Sequence, residues 1–262
     1  VIHSWKKGII LSPNLTTLKY IAYILVFLTG CASNHTALNE KAKATEQLGI
    51  SHYRQGNLRE SLRYLLQAKD LDPENADLHH ELALVYRDLG EYDTSLNHFQ
   101  KALSLRPQFP EAWNNLGTLY GLLKKWDLAI EAFQKAVDDL LYKTPDIAYN
   151  NMGLAYYYKG DYRQAIKSYQ KALEIFPSYA VCYANLGLAY EALNQWEQAI
   201  EAYKTSIKYD GTNSAPYLQL GNLYDRLNKK ADAISILKKF LGVVKEGPGI
   251  AEVQELLKKI QG

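Results

Sequence analysis

The side chains best suited to chemistry in this 262-residue chain are few. Cys31 and Cys182 are its cysteines, and His79, His80 and His98 are the histidines that come nearest to a cluster. Neighbours on a helix point about 100° apart, so His79 and His80 cannot readily share an ion, and no metal is expected. Nucleophile elbows, phosphate-cradling glycine loops, paired cysteines and a His-Glu-x-x-His pattern are all missing from the sequence. No catalytic residue, cofactor or small-molecule substrate is therefore expected, and the chain reads as a non-enzyme. Cys31 stands apart. Lys6, Lys7 and Lys19 precede the apolar run from Tyr20 to Leu28, which leads into Leu28-Thr29-Gly30-Cys31. A basic region, a short apolar segment and small residues before a cut site describe a secretory signal over 1–30, with a run too short to span a bilayer comfortably.

The rest of the chain must position whatever function there is, and it is periodic. Gly49, Ala83, Gly117, Gly153, Gly187 and Gly221 recur at intervals of 34, 34, 36, 34 and 34 residues. Within one period, Trp113, Leu116, Gly117 and Tyr120 form the apolar stripe of a first helix, and Ala129, Phe133 and Ala136 that of a second. Small residues stand 12 apart in each period, as in Gly117 and Ala129 or Gly153 and Ala165, which lets two helix axes approach closely. Bulky Tyr86, Tyr120, Tyr156, Tyr190 and Tyr224 are expected beside them, and most of the 21 tyrosines are read as core. Gln55-Gly56-Asn57, Leu89-Gly90-Glu91 and Lys159-Gly160-Asp161 break the helices within a hairpin, and Pro73, Pro107 and Pro177 mark the joints between hairpins. His79 falls in the slot of Trp113, Tyr149, Tyr183 and Tyr217, a packing position; Cys182 is read as a small packing residue.

This pattern resembles the tetratricopeptide repeat over about three quarters of the chain. The resemblance implies an all-α, right-handed superhelical solenoid of six helix-turn-helix repeats at 42–75, 76–109, 110–145, 146–179, 180–213 and 214–241. An amphipathic stripe of Ile250, Val253, Leu256, Leu257 and Ile260 follows Gly247-Pro248-Gly249 and is read as a capping helix over 250–260. Two departures from the repeat pattern fall late: Gly211 stands where a proline is usual, and Phe240 where a small residue is usual.

In such a fold the first-helix positions not used for packing line a concave groove. These are Asn114, Thr118, Gly121 and Leu122 in the third repeat, Ile147, Asn150, Leu154, Tyr157 and Tyr158 in the fourth, and Val181, Ala184, Leu188, Glu191 and Ala192 in the fifth. Their three- and four-residue spacing puts each set on one helix face. Apolar and aromatic residues with a few amides suit an amphipathic helix or an extended protein segment, whose backbone the asparagines could hydrogen-bond. The lysine and asparagine clamp with which some relatives hold a C-terminal carboxylate is missing, since its slots in the first repeat hold Glu46 and Ile50.

Leu28-Thr29-Gly30-Cys31 resembles the bacterial lipobox, which implies cleavage before Cys31 and a covalent lipid on its sulfur. Residues 31–41 then read as a lipidated terminus and tether. Loss of 1–30 removes three lysines and no acid, taking the formal charge from +2 to −1 and leaving no basic footprint for nucleic acid. Ala32 and Ser33, rather than an aspartate, follow the cysteine; the resemblance implies the inner leaflet of an outer membrane, with the repeats in the periplasm, if the cell is Gram-negative. The two extra residues between the third and fourth repeats lie in a joint running from Leu141-Tyr142-Lys143-Thr144-Pro145 to Asn151-Met152-Gly153. With the lipobox, tether and six repeats, that joint is similar to the type IV pilus biogenesis lipoproteins of the PilF and PilW family. Membership would imply a pilotin, a scaffold that helps secretin subunits reach the outer membrane and assemble there. A general envelope scaffold for cell-wall enzymes or outer-membrane assembly is the other reading.

Overall fold

A computed structural model describes residues 38–262. All regular structure among these residues is α-helical, and no described helix is long and apolar enough to cross a membrane. The leader, Cys31 and most of the expected tether lie outside the described residues. The last four tether positions, 38–41, are already helical.

Two compact units divide at Glu91 and Tyr92. The first holds α1 (38–54), α2 (Leu58–Leu71) and α3 (Ala76–Asp88). Its core is Leu65 and Ala68 of α2 against Leu78, Leu82 and Val85 of α3. Tyr53 ties α1 to α3 by donating its hydroxyl to Asp88 Oδ2 at 2.6 Å. Asn75 caps α3, its side chain accepting from the Leu78 amide, which satisfies one of the donors a helix start leaves open.

The second unit runs through α4 (Tyr92–Leu105), α5 (Pro110–Leu122), α6 (Trp126–Val137), α7 (Pro145–Lys159), α8 (Tyr162–Ile175), α9 (Ala180–Ala192), α10 (Trp196–Tyr209), α11 (Ser214–Arg226), α12 (Lys230–Val243) and α13 (Ile250–Gln261). Each helix packs on the next, and the first helices also meet side by side, α5 on α7 and α7 on α9. Pro110 and Pro145 open α5 and α7, where a missing N–H costs nothing. Helix α13 sets Val253, Leu256 and Ile260 into the core of α11 and α12.

In the hairpins anchored by Gly49, Gly117, Gly153, Gly187 and Gly221, the glycine faces a larger side chain 16 residues on. A Cβ on Gly117 would come within 2.7 Å of the Phe133 ring, on Gly153 within 2.5 Å of the Tyr169 ring, and on Gly187 within 2.5 Å of the Tyr203 ring. The small residues 12 after each anchor, Ser61, Ser95, Ala129, Ala165, Ala199 and Ala233, are fully buried. The tyrosines depart from expectation. Tyr169, Tyr203 and Tyr217 are fully buried, whereas Tyr86, Tyr120, Tyr156 and Tyr190 are only partly covered, and Tyr92, Tyr158 and Tyr209 are exposed. The Tyr169 and Tyr203 rings are enclosed because each lies over a glycine, and Tyr217 because Phe240 packs on it; a ring beside the hairpin keeps its hydroxyl edge in water.

The packing slot has its own bond. His79 Nε2 lies 3.0 Å from the Pro73 carbonyl, Trp113 Nε1 donates to the Pro107 carbonyl at 2.9 Å, and the Tyr217 hydroxyl donates to the Gly211 carbonyl at 3.1 Å. Three different residue types thus fasten a first helix to the carbonyl six positions earlier. Gly211 fills its proline position without loss of this fastening. Phe240, the other departure, is fully buried 5.2 Å from the Tyr217 ring, where α13 covers it.

Candidate partner-binding groove

Side-by-side packing of α5 and α7 brings the ends of their free faces together over the start of α6. Thr118, Gly121 and Leu122 from α5, Trp126 and Phe133 from α6, and Asn151, Leu154, Ala155 and Tyr158 from α7 line a cup of about 230 Å³. Its floor is the buried Phe133 and Ala155; its rim is Leu122, 55% exposed, and Tyr158, 59% exposed. Trp126 stacks on Tyr158 with ring centroids 5.2 Å apart, fixing one wall. The volume falls below the roughly 300–1,000 Å³ of small-molecule sites, and suits one or two bulky side chains of a protein partner.

Sequence reasoning placed Thr118, Leu122, Leu154 and Tyr158 in the groove, and the structure unites all four. It missed Trp126 and Phe133. Trp126 had a signal, because Tyr92, Trp126, Tyr162 and Trp196 recur as aromatic openings of second helices.

The asparagines are a correction. Asn114 and Asn150, expected to meet a partner's backbone, are 8% and 5% exposed. Asn185 Nδ2 donates to Asn150 Oδ1 at 3.0 Å, Asn150 Nδ2 lies 3.5 Å from Asn151 Oδ1, and Asn151 Nδ2 lies 3.5 Å from Asn114 Oδ1. These amides link α5, α7 and α9 to one another, since buried carboxamides must find partners and the nearest are each other.

Glu191 is also engaged within the protein. It accepts from the Tyr203 hydroxyl at 2.8 Å and pairs with Arg226 at 2.7 Å, joining α9, α10 and α11. Arg226 in turn lies over the Trp196 ring. Tyr157 is half-buried against the core of α8 and α9, its ring 5.4 Å from that of Tyr162, and burial raises its hydroxyl pKa. Tyr157 is thus a packing residue as much as a groove residue. Ile147 and Val181 stand exposed at the starts of α7 and α9, Leu188 packs against the apolar core formed by α10 to α13, and Ala184 is half-covered.

A larger cavity, about 550 Å³, opens at the irregular joint between Trp113, Lys135 and Leu141. The two extra residues there tuck Tyr142 beneath Ala136 and Ala148 and leave Leu140 and Leu141 almost fully exposed. The smaller cup differs in having a wall fixed by stacked rings and in lying on the free face of the first helices.

Residues 46–93, 83–124, 108–178, 144–212 and 215–243 match the tetratricopeptide repeat. The chain belongs to the tetratricopeptide-repeat proteins. No curated protein matches it in sequence. Among solved structures, it is similar to PilF of Pseudomonas aeruginosa, at 21% identity over 84% of this chain and 99% of that one, with a TM-score of 0.70. It is similar to PilW, described as a widely conserved type IV pilus biogenesis factor, at 21% identity over 84% of this chain and 98% of the other, with a TM-score of 0.74. The Cut9–Hcn1 hetero-tetramer matches at 23% identity and a TM-score of 0.67, over 85% of this chain but 43% of the other. At these identities the likeness is one of fold.

Proposed function

We propose that the protein is a non-enzymatic, lipid-anchored scaffold that assists outer-membrane localisation and assembly of the type IV pilus secretin. The observation that carries a binding role is the cup of Leu122, Trp126, Leu154 and Tyr158, an apolar recess with an exposed rim. Exposed apolar recesses of this kind mark interaction sites, and aromatic anchors tend to dominate their energetics. The partner would be an amphipathic helix or extended segment of secretin inserting one bulky apolar side chain. The choice of secretin is supported by end-to-end coverage of PilF and PilW and by the family-like joint from Leu141 to Gly153. The anchor would be the lipid on Cys31. Myristoyl-length chains contribute about 0.8 kcal/mol per buried CH₂, so multiple acylation would make attachment effectively permanent.

Deleting the gene tests this reading. Cells without the protein should lose surface pili and detergent-resistant secretin multimers while still making secretin monomer. Normal multimers beside a cell-wall defect would favour a general envelope scaffold instead.

A further inference from the structure

The first unit carries a second recess of opposite character. Between α1 and α3 lies a cleft of about 520 Å³ onto which Glu46, Asp72, Asp77 and Glu81 open, with Lys43 as the lysine at its edge and Ile50 as an apolar patch. Asp72 accepts from Asn75 Nδ2 at 3.0 Å, and Glu81 lies 3.6 Å from His80 Nδ1. Glu46 is different. It is 8% exposed, and among the described residues no donor hydrogen-bonds or ion-pairs with its carboxyl group. Its carboxyl opens on the cleft, but burial of the rest of the side chain and the three further carboxyls around it disfavour its charge. The cost disappears when a cation enters.

We propose that this cleft docks an arginine side chain carried by an extended segment of a protein partner. The carboxyls are too dispersed for a metal: no group of three or more His, Cys, Asp or Glu among the described residues is placed to hold one. A guanidinium spreads five donors over a rigid fork and can serve several separated carboxylates at once. Its aliphatic stem would lie on Ile50, as such stems do beside charged clusters. The site belongs to the first unit, shares no residue with the apolar cup and does not depend on the identity of the pilus partner. Burial first, then Asp77, Glu81 and Asp72, raise the Glu46 pKa, with Lys43 opposing. An ionised Glu46 therefore costs stability near neutral pH, and that cost is absent below the ordinary glutamate range. Replacing it by glutamine should leave the fold at least as stable.

The test uses the full chain in non-ionic detergent and a short glycine-rich peptide bearing one arginine beside a benzophenone photo-crosslinker. A matched peptide carries neutral citrulline. Labelling should saturate, map by mass spectrometry to residues 38–91, and exceed that by the citrulline peptide about fivefold or more. It should fall as salt rises from about 50 to about 500 mM. Glu46→Gln and Glu81→Gln should each lower it about threefold or more, with Glu46→Gln melting at or above the parent temperature. Glu252→Gln on α13 and Leu122→Ala in the cup should leave it unchanged. Equal labelling by both peptides, labelling outside 38–91, or indifference to Glu46→Gln and Glu81→Gln would overturn the proposal. A failed cup with an intact arginine site, or the reverse, separates the two readings.

Discussion

Replacing helix glycines by alanine should give opposite results according to what each glycine faces. Alanine in a helix interior is favoured over glycine by about 0.8–1 kcal/mol, so every such change starts with a gain. At Gly153 the new Cβ would sit 2.5 Å from Tyr169 Cε1 and 2.6 Å from Cδ1, where ordinary carbon contacts lie at about 3.5–4.0 Å. The Tyr169 ring would have to move about 1 Å in a close-packed interior. Overpacking of this kind costs about 1–3 kcal/mol, leaving a net loss centred near 1 kcal/mol. Gly187 faces Tyr203 at the same 2.5 Å and should behave alike. Gly221 meets Leu237 Cδ2 at 3.0 Å, a flexible end that needs to yield only a few tenths of an ångström, so its alanine should be close to neutral. Gly242 has nothing within 4 Å, and its alanine should stabilise by about 0.5–1 kcal/mol. For a domain of this size 1 kcal/mol shifts the melting temperature by about 2–4 °C, within reach of circular dichroism melts. The reasoning fails if Gly153→Ala and Gly187→Ala melt at or above the parent, because the rings could not then be setting the spacing of the hairpins.

Tyr169 and Tyr203 occupy equivalent slots, but the Tyr169 hydroxyl is buried without a hydrogen-bond partner while that of Tyr203 bonds Glu191. Urea titration should find Tyr169→Phe neutral to about 2 kcal/mol stabilising and Tyr203→Phe about 1–2 kcal/mol destabilising, and the reverse order would contradict both assignments. The turns of the hairpins place Gly56, Gly90, Lys124, Gly160, Asn194 and Asn228 in the left-handed region, and Lys124, at φ 56°, is the residue least suited to it. Lys124→Gly should stabilise by about 0.5–1 kcal/mol, the relief of about 1–2 kcal/mol of strain being offset in part by glycine's extra unfolded-state entropy. Burial pushes the Cys182 thiol up to about 12, so in a Cys31→Ser background iodoacetamide should alkylate it only after unfolding; rapid reaction of the folded protein at pH 8 would mean that α9 opens. Palmitate-analogue labelling should mark the parent and not Cys31→Ala, and Ala32→Asp should redirect the protein to the inner membrane; equal labelling of both proteins would remove the lipid anchor from the account.

Much of the fold could be read from the sequence because helix periodicity and left-handed turn residues are local signals, repeated every 34 residues. Half of the cup was legible for the same reason: Leu122, Leu154 and Tyr158 fall on the free face of their helices. What stayed hidden depends on lateral neighbours about 35 residues away. The amides of Asn114 and Asn150 look like groove groups in any one helix and join a ladder through Asn151 and Asn185 only when α5, α7 and α9 lie side by side. Glu191 likewise reads as a free groove charge until α11 brings Arg226 to it. Trp126 belongs to a second helix and enters the groove because Tyr158 of the following hairpin stacks on it. At the irregular joint, the extra residues showed that something was inserted, but not that Tyr142 would turn in and Leu140 and Leu141 out.

The most direct measurement is the yield of detergent-resistant secretin multimers in cells whose only copy of this protein carries Leu122→Ala with Tyr158→Ala. Both side chains are more than half exposed, so the fold and the protein's abundance should be unaffected. Loss of an aromatic anchor and its apolar neighbour at an interface costs about 2 kcal/mol or more, or about 30-fold in affinity. Multimers should fall accordingly while secretin monomer remains, and a matched exposed change, Ile175→Ala on α8, should leave them intact. Parental multimer levels with the double variant stably present at normal abundance would show that the cup is not where the partner binds.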